Sequence, residues 1–553
     1  MMNIGKVPGG VGKLARQYLA WYLPAREFVT THWMWLLPVG LVLLVALLFL
    51  FRAFLLWRNK LVAKLAGADL DIDIEKCGFP KKRFDLLNEV KRAPEGKYFV
   101  GCNPKGRPIY LTEWDLDTHG HIMGHTGSGK TRSVLEPLMF QDMRAGKGLL
   151  FMDAKGSSEN VDMFKAVADL NGRRGDLRVF ALAHPQWSHT YNPVYVTGLA
   201  DPLVTAERVF SVFDLQHEYY RGQSKLFFYN LIRLLASTGL PFNLVDVRLC
   251  VADDVFLHYA YDLADDRAAK FEIDKQLKQL GKRRMETFTG LYNALAEYDH
   301  PLLNSYNPDI VIEDVMNERQ VVYFNLPANR YALLAPAIGK IVLQHIKAVG
   351  AMRQISRARY DQNPFAVCVD ELNRFAFEEL VPSLAMLRDA RVQFRLAHQS
   401  LGDLEQVSRV FSQQVQDNTR WKMHLYENDP DHLEKVCRSY GTRTTYKKTV
   451  RYKLGPLFTF LNTGESSNRE VEALRLHPNQ PKSLAPCGQA YLLQPDRVTG
   501  LNLEPLPRFA IPEYELPKNG VAAGLDLANL FVTSRTDDCD DQDSSWPSSD
   551  GVH

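Results

Sequence analysis

The sequence lacks the features of a disulfide-stabilised or metal-bound module. Its seven cysteines, spread over 553 residues, form no CxxC pair and no even ladder, which fits a protein body in a reducing compartment. A charge excess of one sign is also missing, because 66 basic and 64 acidic residues leave a formal charge of only +2. Any surface that binds nucleic acid must therefore be local. Long hydrophobic runs are scarce, and one stands out.

That run extends from Trp33 to Phe51, contains no charged residue and is flanked by tryptophans. It is long enough to cross the hydrocarbon core of a bilayer, with aromatic anchors at its edges. A signal peptide is the competing interpretation, but the run is too long and has no small-residue cleavage site. A buried core helix is the other alternative. The basic, amphipathic residues 10–26 could lie on the membrane surface.

Strand patterns and helical patterns alternate on both sides of one purely helical stretch. Apolar strands are predicted at KYFVGC, PIYLTEW, GLLFMD, LRVFAL, VVYFNLP, FAVCVDE, VQFRLAHQ and WKMHLY. This alternation is typical of a parallel α/β sheet. We therefore expect an α/β domain in two parts with an inserted all-α domain, between an N-terminal membrane anchor and an acidic, disordered tail. The expected bounds are 1–60 for the anchor, 61–199 and 306–515 for the α/β domain, 200–305 for the insertion and 516–553 for the tail.

The run GHTGSGKT fits the phosphate-loop pattern G-x-x-x-x-G-K-[ST] and lies between the predicted strand HIM and a helix. Its glycines allow backbone N–H groups to turn toward phosphate oxygens, and the following helix adds its positive end. Lys130 supplies a cation for the β- and γ-phosphates, and Thr131 offers a hydroxyl to Mg²⁺. The sequence therefore predicts ATP and Mg²⁺ as cofactors. The expected nucleotide-binding residues are Gly124, His125, Thr126, Gly127, Ser128, Gly129, Lys130 and Thr131.

A phosphate loop requires an acidic partner on a neighbouring strand, and FAVCVDE offers two adjacent acids. We expect Asp370 to hold Mg²⁺ through water and Glu371 to polarise the attacking water. Asp153, after the strand GLLFM, is a second candidate for the metal but has no adjacent acid. Gln399 ends the strand VQFRLAHQ and suits a polar sensor beside the γ-phosphate. Because ATP is cytosolic, residues after Phe51 are expected on the cytoplasmic side.

Two basic clusters are candidates for nucleic-acid contact. One lies in the helical insertion, and the other, in TRTTYKKTVRYK, is interleaved with tyrosines as in a strand or hairpin. Basic residues with aromatic neighbours suit single-stranded nucleic acid, through charge and stacking. A solvated strand face is the alternative. The clusters are Lys278, Lys282, Arg283 and Arg284, and Arg443, Lys447, Lys448, Arg451 and Lys453.

Several motifs together resemble one family. HGHIMGHTGSGKT, FMDAKG, HTYNPV, VVYFNLP, VCVDELNRF and RLAHQS occur in the order seen in conjugative type IV coupling proteins, and NREVEALRLHPNQPKSLAPCGQAYLL resembles their closing segment. The resemblance covers roughly residues 95–500 and the N-terminal anchor. It implies a hexameric, inner-membrane ATPase with a RecA-like domain and an inserted all-α domain. Its expected partners are further copies of the chain, relaxase-bound single-stranded DNA or protein substrates, the channel of a type IV secretion system, and the membrane.

The resemblance also implies roles for particular residues. Lys130 and Thr131 match the Walker A motif, Asp370 and Glu371 the Walker B motif, and Gln399 the sensor. In relatives, an arginine between the acidic pair and the sensor reaches the nucleotide of the neighbouring subunit. Arg388 in MLRDARVQF is the best-placed candidate, with Arg391 second, and a surface ion pair is the alternative role for Arg388. Such an arginine neutralises charge that develops on the transferred phosphoryl group.

Two other functions remain open from the sequence. A septal-type DNA translocase shares the fold, but such proteins usually carry several membrane spans and a winged-helix tail. A membrane receptor that binds ATP as a switch, without working as a motor, is the second alternative. Glu371 argues against the switch, because a pure switch does not require an acid that polarises water. Many relatives have two N-terminal spans, whereas one is visible here.

Overall fold

A computed structural model describes residues 11–65 and 78–529, except 197–199, 216, 356–362, 428, 455–459 and single positions from 512 to 522. The chain divides into two units, one formed by residues 1–76 and 441–475 and the other by residues 77–440 and 476–553. In the first unit lie α1 (Val11–Leu65), β10 (Thr442–Leu454) and β11 (Phe460–Leu474). The strands of the second unit are β1 (Lys97–Cys102), β2 (Pro108–Thr112), β3 (Gly120–Met123), β4 (Gly148–Asp153), β5 (Leu177–Ala181), β6 (Val321–Asn325), β7 (Phe365–Asp370), β8 (Val392–His398), β9 (Trp421–His424), β12 (Gln489–Gln494) and β13 (Arg497–Asn502).

The helices of the second unit fall before, between and after these strands. They are α2 (Leu86–Arg92), α3 (Glu113–Asp117), α4 (Glu136–Arg144), α5 (Ser158–Leu170), α6 (Pro202–Phe210), α7 (Glu218–Ala236), α8 (Leu244–Ala252), α9 (Asp254–Leu263), α10 (Arg267–Leu280), α11 (Arg284–Ala296), α12 (Ile312–Asn317), α13 (Leu334–Ile355), α14 (Leu380–Asp389), α15 (Leu401–Glu405), α16 (Arg409–Asn418), α17 (Pro430–Ser439) and α18 (Asn479–Lys482).

The N-terminal helix α1 contains a segment that is long and apolar enough to cross a membrane. The segment runs over Pro38–Arg58, has a mean hydropathy of 2.8 and is almost entirely unburied. Its 21 residues rise about 31 Å at 1.5 Å per residue, which matches the thickness of a hydrocarbon core. The segment overlaps the predicted span at 33–51 but extends further toward the carboxyl end, because apolar residues continue past Arg52 to Trp57.

The second basic cluster lies on a two-stranded antiparallel sheet. β10 pairs with β11 from Thr442 opposite Leu474 to Leu454 opposite Phe460, with an irregularity in register between Val450 and Tyr452. The predicted strand or hairpin is therefore confirmed. A contact between this cluster and DNA stays a prediction.

The second unit is built on one large mixed sheet. Among the described residues, eleven strands follow the order β2-β1-β13-β12-β9-β3-β8-β7-β4-β6-β5. The seven strands from β9 to β5 are parallel, and β2, β1, β13 and β12 extend the sheet antiparallel. The predicted α/β fold is confirmed. The strand predicted over PIYLTEW is too long, because Thr112 ends it by capping α3 through paired hydrogen bonds with Asp115.

The all-α insertion, α6 to α11, lies between β5 and β6 and packs onto one face of the sheet. Phe227 and Phe288 stack inside it with ring centroids 4.4 Å apart. Both belong to the same hydrophobic cluster as Leu150 and Phe180 of the sheet. A backbone hydrogen bond of 2.8 Å from the Tyr191 N–H to the Leu302 carbonyl joins the segment that leads into the insertion to the segment that leads out of it. The insertion therefore shares a continuous core with the sheet.

The start of the segment predicted as a disordered tail is packed. Leu525 and Leu527 are buried. The Leu527 N–H donates to Asp246 Oδ1 at 3.0 Å, and the Leu525 N–H donates to the Pro241 carbonyl at 2.8 Å. The boundary at 516 is therefore placed too early, because Leu525 and Leu527 anchor this stretch to the folded unit. The acidic residues from Asp537 onward lie outside the described residues.

Candidate functional site

The polar residues singled out by the sequence follow neighbouring parallel strands at one edge of the sheet. The phosphate loop follows β3, Gln399 follows β8, and Asp370 and Asp153 end β7 and β4. The strand β7 does not neighbour β3 as predicted, because β8 lies between them. Carboxyl ends of parallel strands meet at one edge of the sheet, where ligands bind in α/β proteins. The sensor candidate Gln399 therefore stands between the phosphate loop and the acids.

The conformation of the phosphate loop depends on its glycines. Gly127 and Gly129 have φ of 81° and 96°, in the left-handed region that favours glycine. At Gly124, a Cβ atom would lie 2.7 Å from Ser128 Oγ and 2.8 Å from Leu425 Cβ. The loop also contacts the segment after β9, since the His125 N–H donates to the Tyr426 carbonyl at 2.9 Å. The loop conformation is therefore held by its glycines and by its contact with the segment after β9.

Lys130 is folded back into the phosphate loop. Its Nζ donates to the Gly124 carbonyl at 2.7 Å, and it is buried with 4% of its surface exposed. Burial lowers the pKa of Lys130, and the nearby Glu371 and Asp370 carboxylates oppose that shift. A phosphate group would give the ammonium a stronger partner than a neutral carbonyl.

Thr131 and Asp370 meet across the sheet edge. Thr131 Oγ1 donates to Asp370 Oδ2 at 2.7 Å, although the residues are far apart in sequence. Asp370 is fully buried, and its Oδ1 has no hydrogen-bond partner among the described residues. A buried carboxylate oxygen without a partner is costly, and a hydroxyl next to a carboxylate is a donor set that Mg²⁺ favours. The residues present therefore fit a magnesium ion.

Glu371, Gln399 and Thr126 form a chain of polar contacts beside this pair. Gln399 Nε2 lies 3.4 and 3.3 Å from the two carboxylate oxygens of Glu371, and Thr126 Oγ1 donates to Gln399 Oε1 at 2.8 Å. Glu371 has φ 62° and ψ 60°, a left-handed conformation that is costly for a residue with a side chain. Such strain is common at functional sites. Here the backbone conformation sets the direction of the Glu371 side chain after the end of β7.

Lys155, for which the sequence alone gave no role, contacts both acids. Its Nζ lies 3.2 Å from Asp370 Oδ2 and 3.2 Å from Glu371 Oε1. Burial lowers the pKa of Lys155, but the charges of Asp370 and Glu371 outweigh it and raise the pKa overall. The sequence feature that could have indicated this role is its position two residues after β4, a strand that neighbours β7.

Asp153 has a different environment from Asp370. Its oxygens accept hydrogen bonds from Tyr323 Oη at 2.8 Å, from the Lys155 N–H at 2.8 Å and from Asn160 Nδ2 at 3.2 Å. Burial, followed by repulsion from Asp370, raises the pKa of Asp153. Because its oxygens already have protein donors, Asp153 holds the turn after β4 together, and Asp370 is the acid that faces Thr131.

Arg388 is not brought to this cluster. It lies in the last turn of α14, before β8 begins, whereas Gln399 follows the end of β8. The seven residues of β8 extend about 23 Å at 3.3 Å per residue, so Arg388 is at the opposite edge of the sheet. Its side chain is 56% exposed, with Nε 3.9 Å from Asp389 Oδ1. It lines a cavity of about 500 Å³ together with His119, Arg420, Lys422 and Tyr440.

Arg391 and Arg284 each lie beside an acidic side chain. Arg391 has Nε 3.8 Å from Asp117 Oδ2. In the insertion cluster, Arg284 pairs with Asp254 and donates to the Cys250 carbonyl at 3.3 Å. Arg284 therefore has a structural role, while Lys278, Lys282 and Arg283 are exposed.

Comparisons with known proteins agree with this arrangement. The family described as type IV secretory system conjugative DNA transfer matches residues 71–476. The type 4 coupling protein DotL of Legionella pneumophila is 22% identical over 406 residues, which cover 62% of this chain and 52% of DotL. The chain thus spans about half the length of this curated relative.

Two solved structures of the conjugative coupling protein TrwB share the fold. The unbound monoclinic form has a TM-score of 0.54 and 16% identity, and the match covers 79% of this chain and 97% of the TrwB chain. The complex with a non-hydrolysable ATP analogue has a TM-score of 0.54 and 16% identity, and the match covers 80% of this chain and 98% of the TrwB chain. These likenesses support a RecA-like P-loop fold with an inserted all-α domain. Because the family match extends over most of its length, the chain belongs to the type IV secretory system family of conjugative DNA transfer, the coupling proteins.

Proposed function

We propose that the chain is a membrane-anchored ATPase that acts as a type IV coupling protein. It recruits relaxase-bound DNA or protein substrates to a secretion channel and powers their transfer by hydrolysing ATP. The observation that carries the proposal is the convergence of Thr131, Asp370, Glu371 and Gln399 at the phosphate loop. A protein that only binds nucleotide requires the loop, but not an acid held in a strained conformation beside a polar sensor.

The site residues divide the work of hydrolysis. Lys130 leaves the Gly124 carbonyl for the β- and γ-phosphates, and the loop N–H groups bind the remaining phosphate oxygens. Thr131 and Asp370 would hold Mg²⁺, which would supply positive charge to the phosphates. Glu371 orients and polarises the attacking water, and Gln399 fixes the Glu371 carboxylate relative to Thr126 of the loop. Solved complexes of TrwB with an ATP analogue and with ADP and Mg²⁺ support this choice of cofactors.

Arg388 completes the site of a neighbouring subunit. Because it lies at the sheet edge opposite Gln399, it cannot serve the nucleotide of its own chain. A ring of identical subunits, six in our proposal, places this edge against the next phosphate loop. The exposed guanidinium then neutralises charge on the transferred phosphoryl group, so that hydrolysis depends on assembly.

The helix α1 supports the location that we propose. Its segment Pro38–Arg58 anchors the protein in a bacterial inner membrane, and the second unit faces the cytoplasm, where ATP is available. The basic strand β10 is our candidate for contact with single-stranded DNA.

The test is ATP hydrolysis by the full-length protein in lipid nanodiscs, with and without single-stranded DNA. We expect DNA to increase turnover, and Lys130→Ala to abolish both basal and stimulated hydrolysis. Lys165→Ala is the matched control. Lys165 belongs to α5, and its ammonium lies over the Trp187 ring, outside the polar cluster. Hydrolysis that depends on neither DNA nor protein concentration would contradict a motor and favour the switch alternative.

A further inference from the structure

The turn after β4 presents Lys155 to the acidic pair in a fixed geometry. Asp153 accepts the Lys155 N–H at 2.8 Å, and Ser157 caps α5 immediately afterwards. Gly156 has φ 74°, and a Cβ atom there would lie 2.4 Å from Pro327 Cβ. Asn160 Nδ2 donates to Asp153 Oδ2 at 3.2 Å, which joins the turn to the helix that follows. The position of Lys155 is therefore built into the fold.

The ammonium of Lys155 contacts the carboxylate that a metal would require. Asp370 Oδ2 accepts from Thr131 Oγ1 at 2.7 Å and lies 3.2 Å from Lys155 Nζ. The same ammonium lies 3.2 Å from Glu371 Oε1, so one cation is shared between two adjacent carboxylates. A magnesium ion held by Thr131 and Asp370 would meet this ammonium at close range, where like charges repel.

We propose that Lys155 is a positioning residue that pairs with both Asp370 and Glu371 in the nucleotide-free site and competes with Mg²⁺ for Asp370. This inference rests on the proposed function, because it assumes that nucleotide binds with Mg²⁺ at the phosphate loop. Binding of the metal and nucleotide replaces one cation with another at Asp370. The exchange also frees Glu371 from its ion pair, so that its carboxylate is available to water only when the metal is in place.

The test measures how Mg²⁺ changes the affinity of the full-length protein for ADP, which avoids turnover. A fluorescent ADP is titrated at a series of Mg²⁺ concentrations into the wild type, Lys155→Met and Lys155→Arg. In Lys155→Met the Mg²⁺ concentration that gives half of the affinity gain should fall by about fivefold to tenfold, because a competing charge close to the site is removed. Lys155→Arg keeps the charge and should resemble the wild type. Lys165→Met, on α5, controls for loss of a lysine.

A second readout uses thermal unfolding without nucleotide. In EDTA, Lys155→Met should melt below the wild type, because Asp370 and Glu371 lose their shared cation. Saturating Mg²⁺ and ADP should close the gap, since the metal takes over that charge. If Lys155→Met does not fold, Lys155→Gln is used in both measurements.

The possible outcomes separate the two proposals. An unchanged or increased Mg²⁺ requirement in the variant overturns the competition by Lys155 while leaving the ATPase proposal standing. Absence of any Mg²⁺-dependent ADP binding by the wild type would instead overturn the proposed function itself.

Discussion

Replacing Glu371 with glutamine should separate catalysis from stability. The change keeps the shape of the side chain and the left-handed backbone at φ 62°, but removes the charge that polarises water. The folded protein loses an ion pair with Lys155, whose side chain is 43% exposed. Glu371 itself is buried, but solvent screens the Lys155 end and Lys155 keeps its contact with Asp370, so the loss should be about 1 kcal/mol. A positioned base, by contrast, contributes about 10²- to 10⁴-fold in rate.

We therefore expect Glu371→Gln to lower kcat by about 10²- to 10⁴-fold while nucleotide affinity and melting temperature stay close to wild type. Steady-state ATP hydrolysis, fluorescent-nucleotide binding and thermal unfolding measure the three quantities. Glu378→Gln is a matched control, because it makes the same chemical change at an exposed position in the following segment. A variant that hydrolyses ATP within threefold of the wild type would refute the role of Glu371.

Two further predictions concern buried charges near the site. Burial raises the pKa of Glu136 to about 7 from its ordinary value of 4.5, so stability falls as pH rises from about 4.5 to about 7, and the cost stays constant above that pH. Glu136→Gln should match the wild type at pH 4.5 and exceed it by about 1–3 kcal/mol at pH 8, measured as unfolding free energy; an advantage that does not grow with pH would contradict this cause. Asp142 accepts from Arg395 Nη2 at 2.9 Å, and both side chains are fully buried. Asp142→Asn should cost about 3–5 kcal/mol by leaving the arginine uncompensated, and a loss below about 1 kcal/mol in chemical unfolding would show that Arg395 does not depend on the Asp142 charge.

Local sequence was enough to identify the separate parts of the site. The glycine spacing of residues 124–131 permits one loop conformation, and the apolar strand before Asp370 places that acid at a strand end. Both features are encoded within about ten neighbouring residues. The parallel sheet follows from the alternation of strands and helices in the same way.

The features that sequence did not reveal depend on contacts between distant segments. Strand order is one of them, since nothing local shows that β8 separates β3 from β7. The contact of Lys155 with Asp370 joins residues 215 positions apart, through a pairing of β4 with β7 that the pattern of either strand does not show. The packing of Leu525 and Leu527 was hidden because their partners, Pro241 and Asp246, lie in the distant helical insertion.

Arg388, in our proposal, acts on the phosphate loop of a neighbouring subunit, and mixing two inactive variants tests whether it does. Lys130→Ala chains lack a working loop but keep the arginine, and Arg388→Ala chains keep the loop but lack the arginine. Each variant alone should show no hydrolysis, with nucleotide binding intact in Arg388→Ala.

Co-assembled at equal amounts, the two variants should regain roughly one quarter of wild-type turnover, because roughly one interface in four then joins an intact loop to an intact arginine. Lys165→Ala chains mixed with wild type control for the assembly procedure. No regained hydrolysis in assemblies shown to contain both chains, or full activity of Arg388→Ala alone, would contradict the account.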